Sequence, residues 1–193
     1  MSRTDEMLSG ALYHFAKLNL TTCPGNYFEI GSFNGVGTAM LARHYVNKII
    51  YAVDPFIEDG YTVDASGQEQ GNEMLAQREA FARHTNGLQN VVLFETTSSQ
   101  FADILTDEMI GSMNVQWVFI DGSHHYDDVV IDSDLAVRLI DKKSGVIVFD
   151  DMAHHGVRKA YEEFIVTYAD IITEAQVYMG EDHARVVKIN FPL

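Results

Sequence analysis

One cysteine, Cys23, in 193 residues leaves no partner for an intramolecular disulfide and no set of thiolates for a structural zinc site. Both absences fit a reducing compartment, and Cys23 reads as a small packed side chain. Positive charge is also scarce: 13 Lys and Arg stand against 28 Asp and Glu, a formal net charge of −15. Such a surface repels a phosphate backbone, so DNA and RNA are not expected partners. It suits a cation or a neutral to positively charged small molecule, and it also keeps the chain soluble. Long apolar runs are missing: no stretch approaches the roughly 20 residues of a membrane span. The first ten residues lack the basic and then apolar segments of a secretory leader. A cytoplasmic protein with no membrane partner is therefore expected. Without a repeat, a low-complexity tract or an interdomain linker, residues 1–193 read as a single domain. Their 47% hydrophobic content is sufficient for one core.

What is present has the order of an α/β fold. Residues 5–20 carry Met7, Leu8, Leu12, Phe15, Ala16 and Leu20 at helical spacing, giving a leading helix within 1–24. Strand-length apolar runs follow at Tyr27–Ile30, Ile49–Val53, Val91–Phe94, Val115–Ile120, Val146–Phe149, Ile171–Tyr178 and Ala184–Ile189. The first five are spaced widely enough for crossover helices and read as continuous rather than alternating apolar runs, as in a parallel sheet covered on both faces. The last two are too close for a crossover and predict an antiparallel hairpin at the sheet edge. Phe56–Gly71 is polar and follows the second strand directly, so it reads as a loop on the substrate side, either a lid over the substrate or a disordered surface excursion.

The first strand leads into a helix through Gly31, Gly35 and Gly37, which permit a sharp turn and close approach of a ligand to the backbone. Their spacing is not the GxGxxG that seats a pyrophosphate. Glu29, just before them, would repel a pyrophosphate and attract a positively charged amino-acid end. The loop therefore favours S-adenosylmethionine over a dinucleotide. Asp54 ends the second strand, where a carboxylate can accept from both hydroxyls of a ribose, although it can equally cap the turn ahead of Pro55. Ser98, Ser99 and Gln100 stand after the third strand, at the expected edge of an adenine.

Asp121 closes the fourth strand and Asp150 and Asp151 close the fifth, so parallel neighbours about 5 Å apart bring three carboxylates together. A cation resolves their repulsion, and oxygen donors suit Mg²⁺ or another hard divalent ion. One of Asp150 and Asp151 could instead cap the following helix. His124, three residues after Asp121, is placed as a general base. His125, His154 and His155 read first as structural, with lining the pocket as the alternative. The acidic run Asp127, Asp128, Asp132 and Asp134 reads as the solvated first turns of a helix.

Together, EIGSFNGVGT, YAVDPF, SSQ, FIDGSHHYDDV and GVIVFDDMAHHGVRKAYEEF resemble the class I S-adenosylmethionine-dependent methyltransferases. Within that class they are similar to the small metal-dependent O-methyltransferase branch, near macrocin-type sugar O-methyltransferases. The resemblance runs from about Tyr27 to Phe164. It implies a Rossmann-like, seven-stranded, mostly parallel sheet with helices on both faces. By it, Glu29, Gly31, Phe33, Gly35 and Gly37 border the methionine part of the cofactor, Asp54 the ribose, and Ser99 and Gln100 the adenine. Asp121 faces both cofactor and metal, Asp121, Asp150 and Asp151 hold the metal, and His124 is the base. The acceptor it implies is a hydroxylated small molecule, a sugar or polyhydroxylated natural product. Ser144-Gly145 replaces the usual Pro-Gly-Gly turn, and the chain is shorter than the antibiotic-sugar enzymes, which leaves the acceptor and homo-oligomerisation open. Two other readings stay beside this one: a non-catalytic S-adenosylmethionine or nucleoside-binding module of a biosynthetic assembly, and an NAD-dependent oxidoreductase.

Overall fold

The computed structural model describes residues 24–56, 73–178 and 183–191. The expected leading helix, Cys23 and the expected loop beyond Phe56 lie outside them. Seven strands form one sheet: β1 (Asn26–Ile30), β2 (Ile50–Val53), β3 (Val91–Phe94), β4 (Val115–Ile120), β5 (Gly145–Phe149), β6 (Ile172–Tyr178) and β7 (Ala184–Ile189). Among the described residues the helices are α1 (Val36–His44), α2 (Glu73–Thr85), α3 (Ser98–Ile104), α4 (Asp107–Met113), α5 (Tyr126–Leu139) and α6 (His155–Thr167). None is long and apolar enough to cross a membrane.

Strand order is β3-β2-β1-β4-β5-β7-β6. The first five strands run parallel. The hairpin expected at the edge is present, and β7 is its inner arm, antiparallel to both β5 and β6. The continuous apolar runs have the predicted cause, since both faces of each central strand are covered. Phe28, Ile30, Val118, Ile120, Ile147 and Phe149 point to one side and pack with Phe101, Leu135, Val157 and Phe164 of α3, α5 and α6. Tyr27, Ile50, Trp117, Phe119, Val146 and Val148 point to the other and meet Leu41 and Ala42 of α1.

The chain moves outward from β1 through β2 to β3 and then returns to add β4 on the other side of β1. That reversal opens a crevice beyond the carboxyl ends of β1 and β4, where open α/β sheets bind ligands. It is narrow at its base: Asp121 N–H donates to the Ile30 carbonyl at 2.9 Å, and a Cβ on Gly31 would lie 2.1 Å from the Asp121 carbonyl oxygen. Here glycine is required by protein packing as well as by its φ of +84°.

One expectation about a helix is corrected. Asp127, Asp128 and Asp134 are exposed on α5, but Asp132 is buried. Val129, Asp132, Ser133 and Ala136 form its inward stripe at helical spacing. Asp132 bonds Ser98 at the start of α3, and its Oδ1 has no partner. Burial pushes its carboxyl up to about 7.

Candidate functional site

The loop from β1 to α1 turns on three residues in the left-handed region before the helix: Gly31 at φ 84°, Phe33 at 46° and Gly35 at 75°. Gly35 is the N-cap of α1. A Cβ there would sit 2.6 Å from the Phe81 ring of α2. From the same helix, His84 Nδ1 donates to the Asn34 carbonyl at 2.8 Å. The loop is thus clamped from a helix distant in sequence, which the glycine spacing did not reveal. Gly37 lies in the first turn of α1 rather than in the turn itself. Phe33 is 57% exposed.

Glu29 is buried beneath α1 and accepts a hydrogen bond from the Thr38 hydroxyl. Burial, and then the nearby Asp54 charge, raise its carboxyl to about 7, with the Thr38 bond opposing. Asp54 Oδ2 accepts from Phe33 N–H at 2.7 Å. Its Oδ1 accepts from Phe56 N–H at 2.7 Å. Asp54 therefore ties the end of β2 to the glycine loop, realising the turn-capping role and retaining lone pairs for further donors. Ser99 and Gln100 lie in the first turn of α3, where Gln100 completes a capping box with Thr97. Its Oε1 also accepts from Thr96 Oγ1 at 2.7 Å. The sequence signal was Thr97-x-x-Gln100, a capping-box pattern.

A raised carboxyl gives a pH prediction. Glu29 sits at about 7 in the fold against an ordinary 4.5. Its contribution to stability is complete below 4.5 and is lost as pH rises through 7, a change of about 3 kcal/mol in the ligand-free protein. Glu29→Gln should therefore raise the melting temperature at pH 8 and leave it nearly unchanged at pH 4.5, as read by thermal unfolding across that range. Equal shifts at both pH values would refute the assignment.

Beyond β4 and β5 the acids gather around His124. Asp121, Gly122, Ser123, His124, Asp150 and Asp151 line one cleft, floored by Ile120, Val129 and Val157. Burial holds the Asp121 carboxyl well above its usual range, and the charges of Asp150, Asp151 and Glu29 push it the same way. Asp150 accepts from Asp151 N–H at 2.9 Å. Its carboxyl is lifted to about 6, mainly by burial. Asp151 is lowered, chiefly because His124 Nε2 donates to its Oδ2 at 2.9 Å. That bond leaves Nδ1 as the basic nitrogen of a neutral His124. Neither Asp150 nor Asp151 caps α6, whose N-cap is His154.

Three further neighbours lie here, of which the sequence reading names only His154, as structural first and pocket-lining as the alternative. The His154 ring stacks on His124 with centroids 4.0 Å apart and planes 9° from parallel. Gly156 lets the first turn of α6 press on the β4–α5 loop, since a Cβ there would be 2.2 Å from the His124 carbonyl oxygen. His183, just before β7, adds a favourable charge contribution to both Asp150 and Asp151, and its carbonyl accepts from Met152 N–H at 3.0 Å. His125 is the exposed N-cap of α5, and His155 is exposed at the start of α6.

A family model described as "Methyltransferase domain" matches residues 28–152. The chain is 26% identical over 125 residues to uncharacterized protein R132 of Acanthamoeba polyphaga mimivirus, covering 65% of this chain and 50% of that protein. It thus spans half the length of this curated relative. Among solved structures it is similar to CalS11, a calicheamicin methyltransferase, with a TM-score of 0.60 at 15% identity, covering 95% of this chain and 78% of that one. An rRNA methylase from Streptococcus thermophilus gives 0.51 at 15% identity, covering 86% of each chain. At such identity these two likenesses concern the fold alone.

Proposed function

Because the chain belongs to the Methyltransferase domain family, we propose that it moves the methyl group of S-adenosylmethionine to a hydroxyl of a small molecule, assisted by a divalent cation. The observation that carries this reading is the adjacency of two acidic sets. Glu29 and Asp54 flank the glycine loop, and Asp121, Asp150 and Asp151 surround His124 at the neighbouring strand ends.

The residues fit both groups. Ser32 Oγ, buried in the glycine loop, has no partner within the protein. Two carboxyls raised by burial beside it favour a ligand that brings positive charge and hydroxyls. Glu29 and the loop backbone would hold the amino-acid end, Asp54 the ribose, and the first turn of α3 the adenine. Asp121, Asp150 and Asp151 would hold the cation, because their mutual repulsion calls for one. A bound divalent cation supplies Lewis acidity, making an acceptor hydroxyl easier to deprotonate. His124 would take that proton on Nδ1 while Asp151 fixes its ring through Nε2. Holding acceptor and donor near attack distance supplies much of the remaining acceleration. The charge of −15 favours a small molecule over RNA as acceptor.

The test has two stages. Calorimetry should give S-adenosylhomocysteine binding and no NADH binding. A library of hydroxylated sugars and natural products, offered with methyl-labelled S-adenosylmethionine, should then yield a product whose formation stops on adding a chelator. Cofactor binding without turnover on any hydroxylated acceptor would favour the non-catalytic module, and label transfer to RNA would overturn the small-molecule reading.

A further inference from the structure

We propose a second cation site on His124, Asp151 and His154, selective for a first-row transition ion over Mg²⁺. It adds to the methyl-transfer reading without depending on it. Among the described residues these three form the one group of His, Cys, Asp and Glu whose ligand atoms all lie within 4.8 Å of one another. Asp121 and Asp150 do not belong to the group. Two imidazoles and one carboxylate are a nitrogen-rich donor set, preferred by Zn²⁺, Co²⁺ or Ni²⁺, whereas Mg²⁺ takes oxygen.

The geometry is close to binding. Tetrahedral zinc bonds of about 2.0–2.1 Å put ligand atoms about 3.3 Å apart. The three side chains therefore close by about 1.5 Å at most. His124 Nε2 and Asp151 Oδ2 stand 2.9 Å apart across a proton that the cation would displace, the neutral ring then carrying its proton on Nδ1. The two rings must fan out of their parallel stack so that both nitrogens face the ion. They have room: His154 is exposed, and the side chains of His124 and Asp151 are 29% and 45% exposed. Three protein ligands leave a position open to water.

The site shares Asp151 with the oxygen-donor set and takes the nitrogen pair that includes the proposed base. A transition ion here therefore competes with proton transfer by His124.

Co²⁺ serves as the probe, because its visible d–d absorption reports nitrogen ligation directly. Wild-type protein should develop these bands on titration, and about a hundredfold excess of Mg²⁺ should leave them in place. His154→Ala should weaken Co²⁺ at least tenfold while leaving S-adenosylhomocysteine affinity unchanged. His154 makes no side-chain cap to α6, so this variant keeps the fold. Asp121→Asn should retain the Co²⁺ bands. The proposal is overturned if no bands appear, if His154→Ala binds Co²⁺ as wild type does, or if Asp121→Asn alone abolishes binding. The last result would put the ion on the oxygen donors. None of these outcomes bears on cofactor binding, which the parallel titration reads separately.

Discussion

Gly31→Ala should lower stability by about 3 kcal/mol or more and weaken S-adenosylhomocysteine at least tenfold. Two costs add. The left-handed φ of +84° disfavours any side chain, by about 1–2 kcal/mol. The new methyl would also lie 2.1 Å from the Asp121 carbonyl oxygen and 2.5 Å from Gly122 Cα. Both neighbours are backbone, so no rotamer change relieves the overlap, and the ends of β1 and β4 must part. That movement displaces Ser32 on one side and Asp121 on the other, the two walls of the proposed cofactor crevice. Gly87 separates the two effects, having a φ of +79° with nothing within 4 Å of where a methyl would stand. Gly87→Ala should lose only about 1–2 kcal/mol and bind normally. In a domain of this size each kcal/mol moves the melting temperature by about 2–4 °C, so scanning calorimetry resolves the pair. Equal losses for the two variants would mean that contact with β4 is unimportant.

Gly31 also shows what the sequence disclosed and what it hid. The glycines marked a sharp turn after the first strand, but the need for one of them comes from residue 121, ninety positions away. The strands were legible because each central run is apolar on both faces, a local property. Asp121, Asp150 and Asp151 were legible as a group because strand ends in a parallel sheet share one side. Contacts set by tertiary packing were not: the Phe81 and His84 clamp, the approach of Gly156 to His124, and the position of His183 depend on where α2, α6 and β7 dock. Asp132 is a different case. Its stripe of Val129, Ser133 and Ala136 was visible at helical spacing, but the charge of its neighbours outweighed the period. Thr97 three residues before Gln100 is a capping-box pattern visible in the sequence, and the structure forms that box.

Asp150→Asn should make the ligand-free protein more stable at pH 8 while removing chelator-sensitive methyl transfer. Asp150 is a partly buried carboxyl lifted to about 6, and it in turn raises Asp121. Once both groups ionise, their repulsion opposes folding, so the penalty builds as pH rises from the ordinary 3.8 through 6. The amide removes one charge and keeps an oxygen to accept the Asp151 N–H now bound by Oδ1. Stability should therefore rise at pH 8 and change little at pH 4, where the native carboxyl is protonated. Activity should move the other way. Replacing one of the three proposed anionic donors would weaken a hard cation, and losing its Lewis acidity would forfeit several kcal/mol of barrier lowering, about a thousandfold in rate. Opposite signs from one substitution are the mark of charges held together for a ligand rather than for the fold. A purely structural Asp150 would instead lose stability in the amide and keep chelator-sensitive turnover. Thermal unfolding at the two pH values, with turnover on the acceptor identified by the screen, distinguishes these outcomes.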